Sequence, residues 1–186
     1  MEKEAIPYLI ANLNSENKFV KLTCTADLIY PGSDKFYGHG WSINYNLDWL
    51  CIRSGWVLED ITFQDWGFNN YQNDSNNVLK LKELIAKTNA WWAADSSSWT
   101  RLIGITDALK SNNIHTQGKA LQYLIRGDFC IDGLTKNYFD KELRPTINIL
   151  MTSQDSSINE DAKTLLEIVD YKGDFRYNNY PTRCWK

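Results

Sequence analysis

Apolar residues recur along this chain in the steps of a helix, most clearly between Asp140 and Asp170. Leu143, Ile147, Leu150 and Met151 fall on one helical face. Pro145 lies in the first turn, where N–H groups have no intrahelical partner and a proline costs little. The polar stretch Thr152 to Ser157 breaks the helix, because its side chains compete for backbone hydrogen bonds. Asn159 is then read as the cap of a second helix, with Glu160 and Asp161 in its positive first turn and Ala162, Leu165, Leu166 and Val169 on its buried face. Gly173 supplies the stop. A second copy stands at the front. It begins at Glu2, carries Pro7 in its first turn, buries Ile6, Leu9, Ile10 and Leu13, breaks at Asn14 to Asn17 and resumes from about Lys18.

Between the two copies the pattern is mixed. Trp41, Ile43, Tyr45, Leu47 and Trp49 alternate with polar residues, as an edge strand would. Leu47, Leu50, Cys51, Ser54, Leu58 and Ile61 compete with helical spacing, and the longer pattern favours a helix from about Leu47 to Ile61, capped by Asn46. Trp49, Trp56 and Phe63 form a second stripe on it. The polar, aromatic run Gln64 to Asn77 reads as a long exposed loop, with Asp65, Trp66, Phe68 and Tyr71 as its notable residues; burial as a loop anchor is the competing reading. A strong helix follows with Val78, Leu81, Leu84, Ile85 and Thr88 inside, running on through Trp91 and Trp92. Asp95 and Ser96 to Ser98 offer caps for a helix burying Trp99, Leu102, Ile103, Thr106 and Leu109. Ser111 to Asn113 end it, and another helix, roughly Thr116 to Arg126, buries Ala120, Leu121, Leu124 and Ile125 and closes at Gly127 and Asp128. Phe129, Ile131 and Leu134 anchor the connection, and Trp185 in the tail is read as a plug for the last apolar face.

The two outer units correspond residue by residue. Counted from each proline, Val20 matches Ile158, Cys24 matches Ala162, Leu28 matches Leu166, and Glu4 matches Glu142 ahead of the prolines. On these residues, "EAIPYLIANLNSENKFVKLTCTADLIYPG" and "ELRPTINILMTSQDSSINEDAKTLLEIVDYKGD" resemble HEAT-type helical repeats. The resemblance implies an all-α fold, a short HEAT-like right-handed array of antiparallel helix pairs (an α-α superhelix), to which the fading helical pattern adds an irregular or short β segment near residues 36–46. At 186 residues, with four prolines, ten glycines and no linker, the chain is read as a single HEAT-like helical repeat domain over 1–186.

Chemistry is sparse. The chain has two histidines, His39 and His115, and no phosphate-binding loop, serine-hydrolase elbow, H-E-x-x-H or dinucleotide fingerprint, so no catalytic residue, cofactor or metal site is expected. Cys24, Cys51, Cys130 and Cys184 lack metal-ligand spacing and read as reduced packing residues. The start shows no leader pattern and no apolar run spans a bilayer, so the expectation is a soluble, cytoplasmic protein without membrane contact. The adjacent pairs Glu59/Asp60 and Glu160/Asp161 point about 100° apart on a helix and read as solvated charges rather than an acid/base dyad.

Charge and aromatics then indicate a partner. The formal charge is −3, and between Gly127 and Phe175 ten acids face five bases. Seven of eight tryptophans lie between Trp41 and Trp99, more than a small core needs. Small acidic HEAT-like proteins of bacteria resemble immunity proteins, which implies a non-enzymatic inhibitor, monomeric when free, that binds a cognate, basic, nuclease-like toxin. The partner-binding candidates are Glu59, Asp60, Asp65, Trp66, Tyr71, Trp92, Asp95, Asp128 and Asp132. A helical scaffold or adaptor is the alternative. A third reading comes from resemblance to HEAT-like alkylpurine DNA glycosylases, for which Trp91, Trp92, Asp95, Trp99 and Arg101 supply the residue types; the net negative charge and the lack of a basic run argue against nucleic acid.

Overall fold

A computed structural model describes residues 2–20, 35–38, 41–44, 49–68, 78–126 and 131–171, and the fold is all-α with one short hairpin among these residues. The helices are α1 (Glu2–Asn14), α2 (Leu50–Thr62), α3 (Val78–Asp95), α4 (Arg101–Lys110), α5 (Ile114–Ile125), α6 (Lys136–Tyr138), α7 (Arg144–Leu150) and α8 (Ser156–Asp170). Strands β1 (Lys35–Gly38) and β2 (Trp41–Asn44) pair antiparallel, with Phe36 opposite Ile43. The period-two run therefore begins as a strand and the chain is helical from Leu50. Contacts divide the chain into two compact units, Met1–Glu59 with Trp66–Ser96, and Asp60–Asp65 with Ser97–Lys186.

In the first unit, α1 packs on α3, burying Ile6 and Leu13 on one side and Leu81, Leu84, Ile85 and Thr88 on the other. The amides of Asn14 and Asn89 exchange two 2.9 Å hydrogen bonds and fix where the helices meet. Pro7 lies inside α1, beyond its first turn, so the Lys3 carbonyl loses its i+4 donor at an exposed position. No helix starts at Lys18: Asn17 to Phe19 form a turn, and the remainder of the expected helix lies outside the described residues. That turn caps α2 instead, since the Lys18 and Val20 carbonyls accept from Cys51 N–H (3.0 Å) and Leu50 N–H (2.9 Å), two donors that a helix start leaves without intrahelical partners. Val20 is 51% exposed whereas its repeat counterpart Ile158 is 2% exposed, so the proline-based correspondence does not extend to burial.

The second unit is built on one core. Leu102, Ile105, Ala108 and Leu109 of α4, Ala120, Leu121 and Leu124 of α5, and Ile158, Ala162, Leu165, Ile168 and Val169 of α8 enclose Phe139, Leu143 and Ile147. Each fully buried Leu, Ile, Val or Phe among them contributes about 1.5–3 kcal/mol. Arg144 opens α7 and holds Asp170, which closes α8, through two bonds of 2.7 and 2.9 Å, so these helices run antiparallel across the turn at 151–155. Asp155, not Asn159, is the cap, accepting from Ile158 N–H at 3.1 Å, while the Asn159 amide donates to the Met151 carbonyl. Ahead of Pro145 the backbone widens into a π turn over Phe139–Leu143, with Arg144 N–H reaching the Phe139 carbonyl. Proline removes a donor and crowds the preceding turn, which the wider turn accommodates.

The cap of α4 also differs from expectation. Thr100 accepts from Ile103 N–H at 3.2 Å, and Trp99 precedes the helix, 3% exposed, with its ring against Gly104, where a β-carbon would come within 3.3 Å of the indole nitrogen. The residue before the cap thus packs on the fourth helical position, where glycine leaves room for the indole. Ile103, expected inside, is 40% exposed. Asp95 ends α3 rather than starting α4.

Phe63 follows the last residue of α2 in the left-handed region, at φ 59°, the place where helices commonly end on glycine. It is therefore no longer part of a helical stripe with Trp49 and Trp56. Burial holds it there: the ring is 3% exposed, meets Tyr123 edge-on at 5.4 Å and lies 5.5 Å from the Arg101 guanidinium.

Candidate functional site

Glu59, on α2, was expected among solvated charges, and the structure corrects this: it is fully buried. Its Oε1 accepts from the backbone N–H groups of Trp66 (2.8 Å), Gly67 (2.7 Å) and Phe68 (2.9 Å). Three consecutive amides can converge on one oxygen because Gly67 takes φ +105°, a turn open to glycine at little cost. A buried carboxylate is tolerable only when so satisfied. Phe68 is also fully buried, its ring lying on Gly55, where a β-carbon would fall 2.3 Å away, and the Trp56 indole N–H donates to the Phe68 carbonyl. The described part of the supposed exposed loop is thus an anchored turn, and the anchor reading of Phe68 is the one observed. Tyr71 and the rest of that loop lie outside the described residues.

The turn delivers Trp66 to α3. Its ring centroid lies 5.2 Å from that of Trp91, and Trp91 lies 5.7 Å from Trp92. All three rings are partly exposed, forming a continuous aromatic surface on the first unit. Asp95 is four residues after Trp91 and three after Trp92, so it shares their side of the helix end. It adds a carboxylate where the helix dipole is already negative.

The remaining partner-binding candidates belong to the second unit or lie beyond description. Asp60 pairs with Lys119 at 2.8 Å and Asp65 accepts from the Asn113 amide at 2.9 Å. Asp132 is exposed, and Asp128 lies outside the described residues. Part of the acidity of this unit is neutralised internally. Asp140 receives Lys136 and Arg144, each at 2.8 Å, and these hydrogen bonds hold its carboxyl below the usual carboxylate range; Arg144 does the same for Asp170. Exposed acids without such a bridge role include Glu160 and Glu167 on α8.

Of the five residues assembled for base excision, Trp91, Trp92 and Asp95 close α3, whereas Trp99 is buried against Gly104 and Arg101 stacks its guanidinium 4.4 Å from the Tyr123 ring. Cys51 is buried, and burial pushes its thiol pKa up; the other three cysteines lie outside the described residues. Among the described residues no group of three His, Cys, Asp or Glu side chains is placed to hold a metal ion, and no helix is long and apolar enough to cross a membrane.

Sequence reasoning assigned Trp66, Trp92 and Asp95 to the site, gave Glu59 a surface role and left out Trp91 as a partner contact. One signal for Glu59 was present: it stands seven residues after Ile52 and four after Gly55, on a buried stripe of α2. The chain matches no family model, no curated protein and no solved structure.

Proposed function

We propose that this protein is a non-enzymatic, immunity-type inhibitor on a HEAT-like helical scaffold, which binds a basic protein toxin through the surface of Trp66, Trp91 and Trp92. The observation that carries the reading is the row of three partly exposed rings, Trp66 on Trp91 and Trp91 on Trp92, beside Asp95 at the negative end of α3. Indole faces attract cationic side chains, and the helix end and the Asp95 carboxylate add potential of the same sign. Large, rigid aromatic anchors of this kind concentrate binding energy, while surrounding acids accelerate encounter with a basic partner.

The test is affinity capture from the native cell with the full chain as bait, beside Trp92→Ala and Asp95→Asn baits. The expected result is one basic polypeptide in a stoichiometric complex, whose toxic activity is suppressed in a reconstituted assay. Trp92→Ala is expected to weaken the complex at least about thirtyfold, and Asp95→Asn to slow association and flatten its salt dependence. Capture of nucleic acid, or binding indifferent to both substitutions, refutes the proposal.

A further inference from the structure

Resting on that reading of the tryptophan surface, we infer that Glu59 is its positioning residue: the buried carboxylate locks the turn at Trp66–Phe68 and thereby sets Trp66 against Trp91.

The geometry limits what else could do this. Trp66 is the first of the three residues whose N–H groups meet Oε1, so its own backbone is tied to α2 at 2.8 Å. Two positions later the chain is tied again, by the Phe68 ring on Gly55 and by the Trp56 indole on the Phe68 carbonyl. Between the ties stands Gly67, in a conformation that other residues adopt with strain. The Trp66 ring, only partly buried, lies against Trp91. Its place in the surface is therefore inherited from the turn. A single oxygen receiving three N–H groups is suited to an ionised carboxylate, which binds such donors about twice as strongly as a neutral acceptor. A glutamine oxygen keeps the shape and loses that strength. The charge buried at Glu59 thus acts at a distance of several residues, on the orientation of a ring in the proposed interface.

Two full-length variants test this. Glu59→Gln weakens the carboxylate tie, and Gly67→Ala strains the same turn with the carboxylate untouched; the added β-carbon has room, its nearest neighbour being Leu84 Cδ2 at 3.9 Å. Amide hydrogen exchange by NMR is read at Trp66, Gly67 and Phe68, with Leu13 and Leu84 as controls in the core of the same unit. Near-UV circular dichroism reads the Trp66–Trp91 pair, its contribution assigned with Trp66→Phe. In both variants the three turn amides are expected to exchange about ten- to a hundredfold faster, and the Trp66-dependent band to fall, while the control amides keep their protection. Unchanged turn amides, an unchanged band, or a rise shared equally by the control amides overturns the inference. If Glu59→Gln frees the turn while Trp66→Ala leaves capture of a basic partner intact, the proposed function fails and the positioning role of Glu59 stands.

Discussion

Phe63 offers a prediction in which two physical effects of opposite sign separate. Truncation to alanine removes a ring that is 3% exposed, in contact with Tyr123 and near Arg101. Loss of burial and creation of a cavity cost about 3–5 kcal/mol for a Phe→Ala change at a closed site, with the aromatic pair accounting for roughly 0.5–1.5 kcal/mol of interaction beyond area. Alanine keeps the β-carbon, however, and with it the strain of φ 59°, about 1–2 kcal/mol for an L-residue in this region. Glycine loses the same ring and relieves the strain, against an added chain entropy of roughly 0.5–1 kcal/mol. Phe63→Gly is therefore expected to be the more stable of the two variants, by up to about 1 kcal/mol, the reverse of the order in a helix interior. Urea unfolding followed by both far-UV circular dichroism and tryptophan fluorescence checks it, with coincident transitions required before midpoints are compared. If alanine proves the more stable replacement, the backbone at Phe63 is not left-handed and the argument fails.

Other expectations follow from the second unit. Arg144→Met frees Asp170 and leaves Asp140 with Lys136 alone, and is expected to cost about 1 kcal/mol at neutral pH, since the pairs are partly exposed. Both carboxyls are held below their usual range, so this stabilisation is complete above the unfolded carboxylate pKa and disappears as pH falls through the lower folded values. Urea melts at pH 7 and near pH 2 should therefore show the difference between wild type and variant shrinking in acid; a pH-independent difference would assign the loss to packing. Asp155→Ala removes the cap of α8 and is expected to cost about 1 kcal/mol, with Asp155→Asn close to wild type. Equal loss in both would point to the charge rather than the hydrogen bond, and is measured by the same melts.

Much of the helical framework was legible because burial imposes periodicity. Ile6 and Leu13, Leu81 with Leu84, Ile85 and Thr88, Ala120 with Leu121 and Leu124, and Ala162 with Leu165 and Val169 were read from spacing alone, and all are buried. Caps were less legible, since several neighbouring residues offer similar oxygens: Thr100 is chosen over Ser96 to Ser98 because Trp99 must precede the helix to reach Gly104. The site was legible as residue types and illegible as an arrangement. Backbone donors carry no sequence signal, so the three that meet Glu59 cannot be recognised from residue types, and its charge argues for the surface. Trp66 in a polar run carries no period, so its meeting with Trp91 depends on the turn at Gly67 and Phe68.

The two units are not consecutive in sequence. Residues 60–65 belong with Ser97–Lys186, and Phe63, a member of that core, is synthesised more than thirty residues before its neighbours in α4. During translation this segment must wait, its apolar ring uncovered and its left-handed turn not yet imposed, until Leu102 and Tyr123 emerge. A fragment beginning at Ser97 would fold around a missing piece, and a graft of the second unit onto another protein would have to carry the short segment in from a separate place. Division of this chain into modules is thus possible in space and impossible with a single cut.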